Sequence, residues 1–150
     1  MAIQRILVAV DGTPASQKAV EVAIDLAEPA GLELTFVLVS EEYMERLIIE
    51  HPFTPDTDQR LAAEVPVLGD VAKVASDRGV DFRLHLVGAV NTSANVVEAL
   101  VAAAKTREAD LIVVGSRGMS GLARRFVGSV SEGIVKESEV PTVLVHPDED

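Results

Sequence analysis

The hydrophobic positions of the chain follow two patterns that alternate along it. Short, continuous runs of β-branched and aliphatic residues, typical of strands buried on both faces, cover 6–10, 32–39, 80–87, 111–114 and 140–145. Between these runs, apolar residues recur at helical spacing over 13–29, 66–78, 94–107 and 127–137. Strands that alternate with helices imply right-handed crossovers. The pattern therefore predicts one α/β domain over 1–150, with a mostly parallel sheet between helices.

Composition and charge narrow the classes of partner. The 150 residues, 48% of them hydrophobic, suffice for a buried core. Acidic residues outnumber basic ones 24 to 13, and a surface with this net charge of −11 repels the phosphates of nucleic acids and anionic lipids. We therefore expect no nucleic-acid or membrane partner. The first apolar run is too short for a signal peptide, and no uncharged apolar stretch approaches the roughly 18 residues of a membrane span, so a cytoplasmic protein is expected.

Two segments follow predicted strand ends, where ligands bind in sheets of this kind. Asp11-Gly12-Thr13 follows the first strand, and a glycine-rich segment, 115–131, follows the fourth. In the second segment the glycines permit a tight turn and a close approach of the backbone to a ligand. The N–H groups of that turn, and of the helix that begins at Gly128-Ser129, are suited to phosphate oxygens. An anion site of this kind needs no basic surface.

The spacing of these glycines differs from two other phosphate-binding motifs. A Walker loop needs a lysine after its second glycine, and no lysine occurs between Lys105 and Lys136. The dinucleotide-binding fingerprint places its three glycines within about six positions. The basic residues of the segment are Arg117, Arg124 and Arg125, and each either contacts phosphate or is solvated.

The glycine-rich segment resembles the nucleotide-binding signature of the universal stress protein family, which is Gly-x-x-Gly, nine residues, then Gly-Ser/Thr. Gly115, Gly118, Gly128 and Ser129 match it without a gap. The likeness extends to 6–13, 109–114 and 140–145, covers nearly the whole chain and is weakest over 40–65. It implies a flavodoxin-like, Rossmann-like α/β fold with five parallel strands in the order 3-2-1-4-5 and helices on both faces.

The resemblance implies an ATP site, with Mg²⁺ or Mn²⁺ held by the phosphates and no metal site of the protein's own. Residues that match the family's positions near adenine and ribose are Ala9, Val10, Asp11 and Val39. Those that match the strand end and loop near ribose and phosphates are Val114, Gly115, Arg117 and Gly118. Those that match the phosphate-binding helix start are Gly128, Ser129, Val130 and Ser131. AMP or another adenine nucleotide fits the same pattern, because a phosphate cradle recognises oxygens and not their number.

The function that follows is a cytoplasmic, ATP-binding stress-response regulator that acts by binding and dimerisation rather than turnover. No catalytic residue is identified from the sequence. One alternative is a slow ATPase or phosphotransferase that depends on Asp11 or Arg117, and another is an interaction module that works without nucleotide. In the family the last strand pairs with its copy across a two-fold axis, which implies a homodimer with Val143 and Val145 at the contact.

The segment 40–66 follows neither hydrophobic pattern, and we predict irregular structure there. It contains Pro52, Pro55 and Pro66, and acidic residues flank the apolar run at 47–49. With Tyr43, Met44 and Phe53 this run forms an apolar cluster. The cluster either covers the sheet edge as a lid or extra turn, or docks a partner or gates the nucleotide.

Overall fold

The computed structural model of the protein describes residues 2–47, 55–116 and 128–147. Its strands are β1 (Arg5–Ala9), β2 (Glu33–Val39), β3 (Phe82–Val87), β4 (Leu111–Gly115) and β5 (Thr142–Val145). Its helices are α1 (Pro14–Ala27), α2 (Glu41–Leu47), α3 (Pro55–Glu64), α4 (Pro66–Asp77), α5 (Ser93–Thr106) and α6 (Ser129–Glu137). Strands and helices alternate as the hydrophobic pattern predicts.

The strands form one parallel sheet in the order β3-β2-β1-β4-β5. This confirms the predicted fold class and strand order. β1 is the central strand, and its Val8 is level with Phe36 of β2 on one side and Val113 of β4 on the other. The chain builds β2 and β3 outward from β1 in one direction, then returns to build β4 and β5 in the other. The strand order therefore reverses at β1.

Two apolar cores cover the two faces of this sheet. One core joins α1 and α4 to the sheet, with Ile24, Phe36 and Leu68 fully buried. The other joins α5 and α6 to the opposite face, where Leu7 and Ile134 are fully buried. Both sides of each inner strand are therefore apolar, which explains why the strands read as continuous hydrophobic runs.

The segment 40–66 contains two helices, α2 and α3, so the prediction of irregular structure was wrong. Pro55 and Pro66 are the first residues of α3 and α4, where a missing N–H costs no helical hydrogen bond. Two of the three prolines of this segment, Pro55 and Pro66, thus mark helix starts. The ion pairs Arg46–Glu42 (2.8 Å) and Arg60–Glu64 (2.7 Å) lie along exposed helix surface. Residues 48, 49, 52 and 53 of the apolar cluster and its surroundings lie outside the described residues.

Helix α3 lies along the outer edge of β3. The Asp58 carboxylate accepts hydrogen bonds from the Arg83 guanidinium (2.8 Å) and from the backbone N–H of Leu84 (3.2 Å). An edge strand presents unpaired N–H groups that invite pairing with another chain, and Asp58 occupies one of them. Helix α3 therefore covers part of the outer edge of β3.

His85 is a buried ionisable residue in β3, with 7% of its surface exposed. Its burial, and the positive charge of Arg107 nearby, lower the pKa of the imidazole from 6.5 to about 4. The residue is therefore neutral in the folded protein at physiological pH.

The contribution of His85 to the free energy of unfolding should fall as the pH falls below 6.5. There the unfolded chain binds a proton at His85 that the folded protein does not bind, so the stabilisation present above this pH is lost progressively toward pH 4. When the pH is lowered from about 7.5 to about 5, the free energy of unfolding measured in urea should decrease by roughly 2 kcal/mol less for His85→Leu than for the unaltered protein. The exposed His146→Leu is the control. An equal loss in all three proteins would contradict the assignment.

Candidate functional site

A cleft of about 270 Å³ opens beyond the carboxyl ends of β1, β2 and β4. This is where the strand order reverses, which is the usual ligand position in open parallel sheets. Ten of the residues predicted for the ligand site line it, namely Ala9, Val10, Asp11, Val39, Val114, Gly115, Gly128, Ser129, Val130 and Ser131. The predicted Arg117 and Gly118 lie outside the described residues, as do Arg124 and Arg125.

The cleft is also lined by seven residues that the sequence did not single out for binding, namely Thr13, Ser16, Val37, Asn91, Ser93, Val96 and Leu100. They come from the start of α1, from β2, and from the loop before α5 and its first two turns. Val37, Val96 and Leu100, with Ala9 and Val39, form the apolar part of the wall between β2 and α5. This part suits a flat, apolar group such as an aromatic ring.

The start of α6 forms the polar part of the cleft on the side of β4. Its N-cap is Gly128, which carries no side chain to cap the helix. Among the described residues, the N–H groups of Ser129, Val130 and Ser131 have no hydrogen-bond acceptor. Free N–H groups and the positive end of the helix dipole together favour an anion at this position.

Ser131 ties the start of α6 to the end of β4. Its hydroxyl lies within hydrogen-bond distance of two carbonyl oxygens, those of Gly128 (3.0 Å) and Ser116 (3.2 Å). The residue is 1% exposed, so its single O–H proton is used inside the protein. The N–H of Gly128 also donates to the Ser116 carbonyl oxygen. The Ser131 hydroxyl therefore positions the helix start.

Ser129 joins the starts of two helices. Its hydroxyl oxygen lies 2.7 Å from that of Ser93, the first residue of α5. Close packing supports this arrangement, because a Cβ added at Gly133 would lie only 2.6 Å from Cγ2 of Val97. A glycine at position 133 therefore lets α6 approach α5 near the cleft.

Gly115 meets a packing requirement at the end of β4. A Cβ added there would lie 2.8 Å from the backbone carbonyl carbon of Ala15 in α1. A larger residue would therefore displace α1 from the sheet. The absence of a side chain at Gly115 serves the fold as well as the shape of the cleft, so its substitution does not isolate a binding effect.

Asp11 and the start of α1 form a hydrogen-bonded turn at the end of β1. Gly12 follows Asp11 with a φ of +82°, which glycine adopts without strain. The carboxylate oxygen Oδ1 of Asp11 accepts from the backbone N–H (2.9 Å) and the hydroxyl (2.6 Å) of Thr13. The N–H of Asp11 donates to the hydroxyl oxygen of Ser16 (3.0 Å), and Thr13 caps α1 by accepting from the Ser16 N–H (3.3 Å). The carboxylate is thus held at the rim of the cleft.

The electrostatic character of the cleft differs from that of a lysine-lined phosphate site. No lysine, arginine or histidine occurs among the described residues that line it, and Asp11 is the charged side chain among them. Within the described part of the chain, no group of three or more His, Cys, Asp or Glu residues is arranged to hold a metal ion. The described helices also include none long and apolar enough to span a membrane.

The fold defines a doubly wound α/β domain with a cleft at its topological switch point. The family model described as "Universal stress protein family" matches residues 2–146. The chain belongs to the universal stress protein family.

Curated relatives match over most of their length. The chain is 28% identical to universal stress protein YxiE of Bacillus subtilis, over 94% of this chain and 97% of the relative. It is 29% identical to universal stress protein Rv1636 of Mycobacterium tuberculosis, over 97% of each chain. It is 31% identical to a putative universal stress protein, SSP1056, of Staphylococcus saprophyticus, over 96% of this chain and 84% of the relative.

Solved structures share the fold. A universal stress protein in complex with cAMP has a TM-score of 0.69 and 25% identity, over 97% of this chain and 98% of the other. A universal stress protein family member from Burkholderia pseudomallei has a TM-score of 0.66 and 27% identity, over 96% of each chain. The protein MJ0577 has a TM-score of 0.74 over 100% of both chains but 21% identity, a likeness of fold alone.

Proposed function

We propose that this protein binds an adenine nucleotide, with ATP as the ligand, and acts as a cytoplasmic stress-response regulator by binding and dimerisation rather than turnover. The observation that carries the proposal is the uncapped start of α6, which faces an apolar wall across the switch point of the sheet. A 25% identical universal stress protein in complex with cAMP supports an adenine nucleotide as the ligand class.

The cleft offers a separate environment for each part of a nucleotide. The apolar wall between β2 and α5 accommodates the adenine, and the N–H groups at the start of α6 accommodate the phosphates. Arg117 and Gly118 are included in the proposed phosphate site because they match the family's sequence pattern. Since Asp11 is the carboxylate among the described lining residues, Mg²⁺ or Mn²⁺ would be held through the phosphates rather than by a dedicated set of side chains.

Replacing the N–H of Ser129 should weaken ATP binding without unfolding α6. Ser129 is the first helical residue, where proline is tolerated, and Gly128 before it has φ −67° and ψ 154°, which suits a residue that precedes proline. Ser129→Pro removes the N–H and the hydroxyl, whereas Ser129→Ala removes the hydroxyl alone. In titration calorimetry with ATP and Mg²⁺, Ser129→Pro should bind about tenfold more weakly than Ser129→Ala, since a hydrogen bond to a charged group is lost.

Two results would contradict this account. Absence of any binding heat from the unaltered protein at millimolar nucleotide would overturn the proposed function. Equal affinities of Ser129→Pro and Ser129→Ala for ATP, with the helix content of both variants unchanged by circular dichroism, would show that the phosphates do not bind at the start of α6. Turnover of ATP well above buffer hydrolysis in the same samples would favour the slow ATPase or phosphotransferase.

The affinity for ATP should depend only weakly on salt. Screening by salt acts mainly on interactions between charges, and the described part of the cleft uses backbone N–H groups rather than cationic side chains. Titrations from about 0.05 to about 0.5 M KCl at constant free Mg²⁺ should change the dissociation constant by less than about threefold. A steep dependence of the affinity on salt would indicate that the phosphates bind the side chains of Arg117, Arg124 and Arg125 instead.

The proposed dimer forms through the outer edge of β5. The N–H of Ile112 donates to the carbonyl oxygen of Pro141, so the backbone groups of Thr142, which is level with Ile112, face away from β4. Val143 is half-buried, whereas Val145 is 7% exposed and packs into the core of its own protomer. The carbonyl oxygen of Val145 also accepts from the N–H of Ser116, so its backbone faces β4 rather than the outer edge.

Thr142→Pro should dissociate the proposed dimer while leaving the protomer folded. Proline is tolerated on an edge strand where its missing N–H faces outward, but it cannot donate to a second copy of β5. Sedimentation velocity should show a dimer for the unaltered protein. For the variant, the dissociation constant of the dimer should be at least about tenfold larger. Thr142→Val is the matched control, because it keeps the N–H. A dimer unaffected by the proline would place the interface elsewhere.

A further inference from the structure

We propose that Thr13 is a positioning residue, which holds the Asp11 carboxylate as the acceptor for a ribose hydroxyl of the ligand. The inference rests on the proposed nucleotide binding and names a determinant of its specificity. It depends on three features of the structure: the hydrogen bonds of the turn, the unused oxygen of Asp11, and the place of β1 in the strand order.

The hydroxyl of Thr13 makes two hydrogen bonds that run in opposite directions. It donates to Oδ1 of Asp11 at 2.6 Å and accepts from the N–H of Ser16 at 3.3 Å. The backbone N–H of Thr13 adds a second bond to the same Oδ1, at 2.9 Å. Because both donors meet one oxygen, they fix the orientation of the carboxylate and leave the other oxygen unused.

That second oxygen determines what Asp11 is able to recognise. Among the described residues, Oδ2 of Asp11 has no hydrogen-bond partner, and Asp11 lines the cleft. An ionised carboxylate accepts hydrogen bonds and donates none, so a ligand group that meets Oδ2 must be a donor. A phosphate is repelled by the same charge. The donors of an adenine nucleotide that remain are the hydroxyls of the ribose and the amino group of the base.

The strand order favours the ribose. β1 lies between β2, which contributes to the apolar wall, and β4, which leads into the side of the cleft where α6 begins. A nucleotide with its base at that wall and its phosphates at α6 must cross the carboxyl end of β1 with its sugar. Asp11 is two residues beyond the last residue of β1. The sugar hydroxyls therefore pass closest to Asp11, whereas the base lies over the neighbouring strand.

The test compares ligands that differ in one group. The dissociation constants of ATP, 2′,3′-dideoxy-ATP and inosine triphosphate are measured by titration calorimetry, with Mg²⁺, for the unaltered protein and for Thr13→Val. The unaltered protein should bind the dideoxy nucleotide about tenfold more weakly than ATP, as expected for loss of a hydrogen bond to a charged group. In Thr13→Val the ratio of the dissociation constant of dideoxy-ATP to that of ATP should fall at least threefold. Thr13→Ser, which keeps the hydroxyl, should retain it.

A matched variant separates positioning from loss of the helix cap. Thr92 caps α5 as Thr13 caps α1, by accepting from the N–H of Asn95 at 3.2 Å, and it makes no bond to Asp11. Thr92→Val should therefore lower the melting temperature by an amount similar to Thr13→Val, since each loses one N-cap. The ratio of the dissociation constant of dideoxy-ATP to that of ATP should be unchanged in Thr92→Val. An equal fall of the ratio in both variants would show a general loosening and overturn the inference.

The remaining outcomes distinguish the inference from the proposed function. If the unaltered protein does not bind ATP, both are wrong. If it binds ATP and dideoxy-ATP equally, or if Thr13→Val binds with an unchanged ratio, the proposed function stands and the role of Thr13 is wrong. If Thr13→Val instead reduces the difference in affinity between ATP and inosine triphosphate, Asp11 contacts the amino group of the base. That result also overturns the assignment to ribose.

Discussion

The reversal of strand order at β1 is the constraint on which the rest of the structure depends. From β1 the chain enters α1, which packs on one face of the sheet, whereas α5 and α6 pack on the other face. Among the described residues, no crossover helix covers the carboxyl end of β1, and the ends of β1, β2 and β4 share an open cleft. The starts of α1, α5 and α6 all contribute to its wall. The cleft is thus a consequence of the topology, and the residues around it determine its chemistry.

The net charge of −11 and a phosphate site are compatible because they concern different parts of the molecule. Acidic side chains such as Glu42 and Asp77 lie on exposed helix surface and pair with neighbouring basic residues. The groups proposed to bind the phosphates are instead backbone N–H groups at the start of α6, which the internal hydrogen bonds of Ser131 hold in place. These donors carry no net charge, so they add nothing to the total.

The sequence predicted most of the fold because its strands are buried on both faces. Runs such as 6–10 and 111–114 carry apolar residues at every position, which only a sheet between two layers of helices explains. α2 and α3 escaped prediction because few of their residues face the core, and helical periodicity reports only a buried face. Leu47 and Leu61 are buried members of these helices, too few to reveal a period.

The candidate site was predictable where one stretch of chain supplies several of its groups. The glycine spacing placed Gly115 and Gly128 at the cleft, because both belong to the segment that follows β4. Ser93 and Leu100 were missed because they approach from α5 only through tertiary packing, and a lone serine or leucine in a helix carries no signal of its own.

In the proposed mode of binding, Thr13 couples helix capping to ligand recognition. Thr13 precedes Pro14, the first residue of α1, and its hydroxyl caps the helix by accepting from the N–H of Ser16. The same hydroxyl has a proton left after it accepts from the Ser16 N–H, and the nearest carboxylate, that of Asp11, takes this proton as a hydrogen bond. Because α1 begins directly after the central strand, its cap necessarily stands at the rim of the cleft. A residue chosen to start the helix therefore also orients the one charged side chain among the described residues of the site.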